Sequence, residues 1–416
     1  MDGRMLDPYS PESISDPVSL WARLRDESPV FAVPGSPGHF LVARHADIRR
    51  VCDDVETFSN ELLASVQCGP DGRPRLLRAP SADSPHGRVI GAADGEVHRR
   101  HRKLLARAFS ARRMNGFEQW LRSRAQALLR ERTETFDVMR TLAEPLPVQA
   151  MAHLLGLPPD DWRRLFDWSE SAMRVIGGLV PVDALAPLFE DLVALQTYLA
   201  RHVGLGDPTH EPSLSTNRRD QEDGVIRLLS DAVADGTIET WEASGLLFQL
   251  VVAGSDTTVG LIGAAIRRLA EDPRRWSMLQ QDRAKIGPFI EETLRLDGPA
   301  IGNYRRTTRA TDLGGVSIPE GATLTLLWGS ANRDASEFAD PDAFDLDRPN
   351  LKGHLAFGYG THFCLGASLA RLEARVAIEA ILDSGDSITV ACEPDDLRIA
   401  PSLFIRKLQS LPIHLK

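Results

Sequence analysis

Apolar residues are spread unevenly along this chain, and their spacing marks its elements. One stretch, Trp241–Ala270, is apolar on nearly every side and stops at Asp272-Pro273. A helix apolar all round is buried on every side, so this segment is expected to run through the core. From 115 to 240 apolar positions recur at helical spacing, broken at Leu157-Pro158-Pro159, Gly177-Gly178 and Gly204–Thr216. The polar segment Arg201–Asp223 reads as an exposed connection. Near the start, Pro17–Glu27 predicts a short helix, and Pro29–Val33 and His39–Val42 predict strands across a Pro-Gly turn. Asp47–Cys52 predicts a short amphipathic helix. Residues 61–95 lack a clear period and carry Gly69-Pro70, Asp71-Gly72, Pro74, Pro80, Pro85 and Gly87, so they read as a long loop. Helical spacing returns at Phe289–Leu296 and after Ala367. Strands are expected at Thr323–Trp328 and Ile388–Ala391, with a hairpin-like end from Leu397 to Ile413. The sum is a mainly α fold with a small β-rich region.

Two interruptions of this pattern point to chemistry. Inside the apolar helix lies Ala253-Gly254-Ser255-Asp256-Thr257-Thr258. A carboxylate and hydroxyls among Val251, Val252, Leu261 and Ile262 are costly unless they have partners. Gly254 removes bulk where something approaches the helix. Thr257 can bond back to a helix carbonyl and make room for water. A core helix with a tolerated polar notch would carry the same residues. One turn earlier on the same face, Gln249 faces either a polar group of a pocket ligand or an internal partner, with Val252 beside it.

The second interruption is Phe357-Gly358-Tyr359-Gly360-Thr361-His362-Phe363-Cys364-Leu365-Gly366, directly before a helical run. Glycines let the backbone turn tightly. A cysteine at a helix start meets free N–H groups and the positive end of the dipole, and both favour thiolate. A thiolate held by loop amides suits a haem iron that activates oxygen. The plain alternative is a buried cysteine in a turn. A third cluster, Glu96 to Lys103, puts His98 and Arg102 four apart and on one helix face.

Composition narrows the classes. The 416 residues carry a net charge of −10, which disfavours nucleic acid and anionic membrane surfaces. The four cysteines, Cys52, Cys68, Cys364 and Cys392, form no C-x-x-C pair, so neither zinc nor a disulfide framework is suggested. The first residues form no apolar signal segment, and no run of about 18 apolar residues occurs, so a cytoplasmic chain without a membrane span is expected.

The spacing Phe-Gly-x-Gly-x-His-x-Cys-x-Gly resembles the cysteine loop of the cytochrome P450 superfamily, in its soluble bacterial form. The helix motif Ala/Gly-Gly-x-Asp/Glu-Thr matches at Ala253–Thr257, and Glu-x-x-Arg matches at Glu292 and Arg295, followed by Pro299. The resemblance runs from about Pro17 to Leu411 and implies the P450 fold in one domain over 1–416. It implies haem b between the central helix, at Ala253 and Gly254, and the loop, at Phe357, His362 and Gly366, with Cys364 as iron ligand. It assigns His98, Arg102 and His362 to the haem propionates, together with Arg305 or Arg306, of which Arg306 is preferred. Asp256 and Thr257 become the pair that delivers protons to dioxygen. Glu292, Arg295 and Arg348 become a network that braces the cysteine loop. Gln249, Val252, Ile301, Leu403 and Phe404 become candidate pocket residues.

The implied activity is a monooxygenase that hydroxylates or otherwise oxidises a small, largely apolar molecule, with secondary metabolism as its setting. Electrons are expected from a ferredoxin and an NAD(P)H-dependent ferredoxin reductase, because the chain has no flavin or iron–sulfur segment. The basic cluster with Arg99, Arg107, Arg112 and Arg113 is the expected docking site. Oxidative coupling is an alternative reaction at the same iron, and a non-catalytic haem protein is an alternative class.

Overall fold

The computed structural model describes residues 6–69, 71, 73–78, 89–202 and 224–416. Its axis is the unbroken 31-residue helix Thr240–Ala270. Glu239 and Glu242 form a capping box at its start, and Arg267 and Arg268 sit in its last turn, where they complement the dipole. Helices Pro145–Leu155, Trp162–Ile176, Ile286–Asp297 and Ala367–Asp383 pack around it. By length and hydropathy alone this helix could cross a membrane, yet 67% of its most apolar window is buried inside the protein. The apolar run is therefore explained by the core of the fold.

A five-stranded sheet lies to one side, in the order Val30–Ala32, His39–Val42, Thr323–Leu326, Asn303–Thr307 and Phe58–Ser59. The two strands His39–Val42 and Thr323–Leu326 run parallel, and every residue in both is buried. A second sheet joins Ile388–Val390, Pro412–Leu415 and Thr135–Asp137. The hairpin-like end takes the form of a bridge between Ile399 and Leu408, and a second bridge ties Ile405 to Ala300.

Two local expectations change. The segment read as a loop contains an antiparallel ribbon, Ala64–Cys68 against Pro74–Arg78. Its residues are mostly half-buried on both faces, so it lacks the alternation that announces a strand. Pro74 is the first residue of its strand, where proline is tolerated. The strand expected to reach Trp328 ends at Leu326, and Trp328–Ala331 turns into a short buried helix. The breaks at 157–159 and 177–178 occur, and Gly178 (φ 73°) shows why. A Cβ there would meet the Val66 carbonyl of the ribbon at 2.6 Å. Pro80, Pro85, Gly87 and the connection from 203 to 223 lie outside the described residues.

Glu292 and Arg295 are fully buried and paired in two parallel bonds, Nη2 to Oε1 at 2.7 Å and Nε to Oε2 at 2.8 Å. Arg295 also donates to the carbonyls of Asn332 (2.8 Å), Pro341 (2.6 Å) and Ala343 (2.8 Å). Arg348 approaches the same carboxylate at 3.4 Å and donates to the carbonyls of Ala339, Asp340 and Ala343. One carboxylate thus organises the chain from 332 to 348. Removing it strands two buried guanidinium groups. Glu292→Ala is expected to cost about 3–5 kcal/mol in denaturant unfolding and to yield protein without haem. Wild-type stability and normal haem content in the variant would refute this role.

Candidate active site

The cysteine loop is folded by its own backbone. Gly358 and Gly360 both hold φ 70°, a region that suits glycine. The Cys364 N–H donates to the Phe357 carbonyl at 2.9 Å, which closes the loop. Helix Ala367–Asp383 begins three residues later. Cys364 lies deep in the molecule, yet its side chain is solvent-accessible. Burial pushes its thiol up, while the Gly366 and Ala367 N–H groups, Arg102 and Arg371 pull it down. The net direction is upward. The loop amides thus favour the thiolate, as expected, and burial opposes them.

A carboxylate that the sequence motif did not single out braces this loop. Glu291 accepts two bonds from Arg371, at 2.6 and 2.9 Å, and lies 3.1 Å from His354 Nε2. Arg371 follows the cysteine and His354 precedes it, so Glu291 clasps both flanks. Burial would raise its carboxyl, but Arg371 and His354 hold it down at about 2. The Arg371 guanidinium also covers the Phe357 ring at 4.5 Å. Glu291 and Glu292 thus divide the work. Glu292 pins the 332–348 segment, and Glu291 pins the loop.

The residues expected at the propionates converge. The imidazoles of His98 and His362 lie 4.1 Å apart between centroids. His98 Nε2 is buried without a hydrogen-bond partner. Burial, with His362 and Arg102 nearby, lowers its imidazole to about 4. Arg102 donates to the Phe363 carbonyl at 2.7 Å. Asp94, just before helix Gly95–Ala106, anchors the corner: it lies 3.3 Å from His362 Nε2 and accepts from Ser59 Oγ at 2.6 Å and from the Asn60 N–H at 2.9 Å. The preference for Arg306 does not fit this arrangement. Its Nε donates to the Glu61 carbonyl at 2.9 Å, on the opposite strand face. Arg305 is buried beside Cys52 and within electrostatic reach of Asp94, which makes it the better candidate for this corner.

On the central helix, Ala253 is exposed although its neighbours Val251, Val252, Ser255 and Asp256 are buried. Thr257 donates to the Ala253 carbonyl at 2.7 Å, one turn along the same face. Asp256 points elsewhere. It is 3% exposed and accepts a hydrogen bond from Lys407 Nζ of the terminal hairpin. Burial raises its carboxyl, and Lys407 opposes the rise. A Cβ on Gly254 would meet the Met151 methyl, the end of a flexible side chain. Gln249 takes the internal option: its Oε1 accepts from the Gly91 N–H at 3.1 Å. Val252 is buried. Ile301, Leu403 and Phe404 come together with Tyr9, Trp21 and Val66 around an apolar cleft beside the N-terminal helices. Three of the five candidate pocket residues thus share one cleft, and Gln249 is turned to Gly91.

A haem fits what is present. The deep but accessible Cys364, the accessible Ala253 and Thr257 face, and an unpartnered buried imidazole with two arginines meet the needs of a flat apolar ring with an iron and two carboxylates. This is the donor set of a haem-thiolate protein.

Comparison with known proteins agrees. The family model described as Cytochrome P450 matches residues 209–384. Cytochrome P450 144 of Mycobacterium tuberculosis is 32% identical over 410 residues, covering 98% of this chain and 91% of the relative. Erythromycin C-12 hydroxylase of Saccharopolyspora erythraea is 34% identical over 378 residues, covering 90% and 88%. The structure of a mutant of P450 EryK in complex with erythromycin B aligns with a TM-score of 0.80 at 32% identity, covering 97% of each chain. The chain belongs to the cytochrome P450 family of monooxygenases, whose members use haem and an external electron donor.

The Asp94 corner has a pH signature. Burial would raise this carboxyl, but the bonds from His362, Ser59 and Asn60 lower it from 3.8 to about 2. A depressed carboxylate stabilises the fold fully above its unfolded value and loses that contribution as pH falls through its folded value. Stability from Asp94 is thus whole at neutral pH and lost between about pH 4 and pH 2, on the order of 2 kcal/mol. Asp94→Asn is expected to flatten that acid limb in urea midpoints measured against pH. An unchanged limb would show that Asp94 is not so held.

Proposed function

We propose that this chain is a haem-thiolate monooxygenase that oxidises a small, largely apolar secondary metabolite in the cytoplasm. The observation that carries the reading is the split of the acid–alcohol pair. Thr257 lies on the accessible face of the central helix, while Asp256 is buried behind it. When bound, haem would supply an iron that activates dioxygen with electrons from the external donor, and Cys364 would hold it. The protein's own task is then to meter protons and exclude bulk water. Thr257 spends its hydroxyl proton on the Ala253 carbonyl, which leaves its lone pairs to accept from water or from a group on the accessible face. Asp256 is the nearest carboxyl in sequence and can take a proton from the solvent side and pass it on. His98, His362, Arg102 and Arg305 would pair the propionates.

The substrate class rests on the relatives, one of them named an erythromycin hydroxylase and another solved with erythromycin B. The cleft at Ile301, Leu403 and Phe404 adds apolar surface suited to such a molecule. Hydroxylation is the reading adopted.

A ferredoxin, reduced by its NAD(P)H-dependent reductase, is the proposed donor. Lys103, Arg107 and Arg112 are exposed on or after the helix whose Arg102 bonds the carbonyl of the cysteine-loop residue Phe363, itself 38% exposed. Arg99 is exposed but paired with Glu96 at 2.7 Å. Reversing charge at Arg99 and Arg112 is expected to slow reduction severalfold at low salt and to flatten its salt dependence. A salt dependence equal to wild type would exclude this surface.

Thr257→Ala tests the reaction. With haem content unchanged, it is expected to divert most reducing equivalents to hydrogen peroxide. Wild-type coupling in the variant would overturn the monooxygenase mechanism assigned to this site.

A further inference from the structure

Lys407 belongs to no motif, yet it meets the buried acid of the central helix. Its Nζ donates to Asp256 Oδ1 and lies 3.8 Å from Glu170 Oε1. Phe166 covers it, with the ammonium 5.4 Å from the ring centroid. Lys407 and Asp256 have side chains only 10% and 4% exposed, whereas Glu170 is 45% exposed. Glu144 also faces this group, with Arg163 at 3.7 Å from it on the outer side. One lysine is thus set between a buried carboxylate and a solvent-facing one.

We propose that Lys407 is a positioning residue with two seats: bound to Asp256 it keeps that acid ionised and idle, and by moving to Glu170 it frees Asp256 to carry a proton. This rests on the monooxygenase reading above. The physics concerns what happens when the buried pair opens. A buried ion pair is strongly destabilised when one partner is simply lost. A second carboxylate within a short swing avoids that penalty, so the lysine stays paired in either seat. Asp256, left in an apolar helix, then favours its protonated form. A proton from the solvent side, past the Glu170–Lys407 pair, reaches the Asp256 carboxylate and leaves toward Thr257. Lys407 then returns, and the protein ends the cycle as it began.

The fold supplies a lever for the swing. Lys407 lies three residues after Phe404, on the hairpin closed by the Ala400 N–H to Lys407 carbonyl bond of 2.8 Å. The Leu403 N–H donates to the Gly177 carbonyl at 3.1 Å, at the end of the helix that carries Phe166 and Glu170. Displacing Leu403 and Phe404 from the cleft side therefore moves Lys407 and Glu170 relative to Asp256.

Substitutions at Lys407 and Glu170 in the haem-loaded protein test this. Lys407→Met is expected to produce an infrared band of a protonated buried carboxyl that vanishes in Lys407→Met/Asp256→Asn; Lys407→Arg is expected to lack it. Glu170→Gln leaves the Asp256 bond in place but removes the outer seat. It is expected to keep wild-type haem content and melting temperature, slow consumption of reducing equivalents severalfold, and raise the solvent deuterium isotope effect. A merely structural pair predicts wild-type kinetics in Glu170→Gln, and that result would overturn the proposal even if Lys407→Met fails to fold. Absence of the band in a folded Lys407→Met would do the same. If Thr257→Ala diverts electrons to peroxide while both of these variants behave as wild type, the latch falls and the monooxygenase reading stands. If Thr257→Ala stays coupled, that reading falls first.

Discussion

Burying Glu291 and Glu292 side by side on one helix removes two charges from water, and the site depends on how that cost is offset. Each carboxylate is met by an arginine in two bonds: Arg371 for Glu291 and Arg295 for Glu292. The remaining guanidinium N–H groups reach carbonyls in segments with little regular structure of their own. A buried pair of this kind contributes little net stability as a pair. Its effect is to give the loops before and after Cys364 one permitted arrangement, because any other leaves a charge unpaired in the core.

That rigidity matters because the cysteine works against desolvation. Its thiol is pushed up by burial despite nearby amides and two arginines. The same balance governs the corner where His98, His362, Asp94 and Arg305 meet. Asp94 compensates part of the positive charge, and His98 is held uncharged by its surroundings. Both places belong to the proposed haem site. The central helix solves the opposite problem. It keeps a carboxylate out of water and pairs it with a lysine from the far end of the chain.

The chemistry-bearing residue types were legible in the sequence because each stands out locally. A carboxylate within an apolar helix, a cysteine among glycines, and Glu-x-x-Arg at helical spacing signal themselves over a few residues. The strand His39–Val42 has the bounds its pattern suggests, and the core helix is misplaced by one residue. The ribbon at 64–78 escaped notice because half-burial on both faces leaves no alternation. Glu291 escaped because nothing in its neighbours distinguishes it from a solvated helix charge.

Local pattern and backbone preference thus establish where helices run, where the cysteine loop turns and which polar groups sit in apolar surroundings, since these depend on residues close in the chain. Partner choice depends on residues far apart. That Arg305 and not Arg306 comes within electrostatic reach of Asp94 follows from strand face and sheet register. That Gln249 meets Gly91, that Gly254 faces Met151 and that Asp256 is held by Lys407 follow from packing between segments about 100 to 160 residues apart. Short-range spacing carries no information on such contacts, because they are selected by the shape and charge of whole elements once these have assembled.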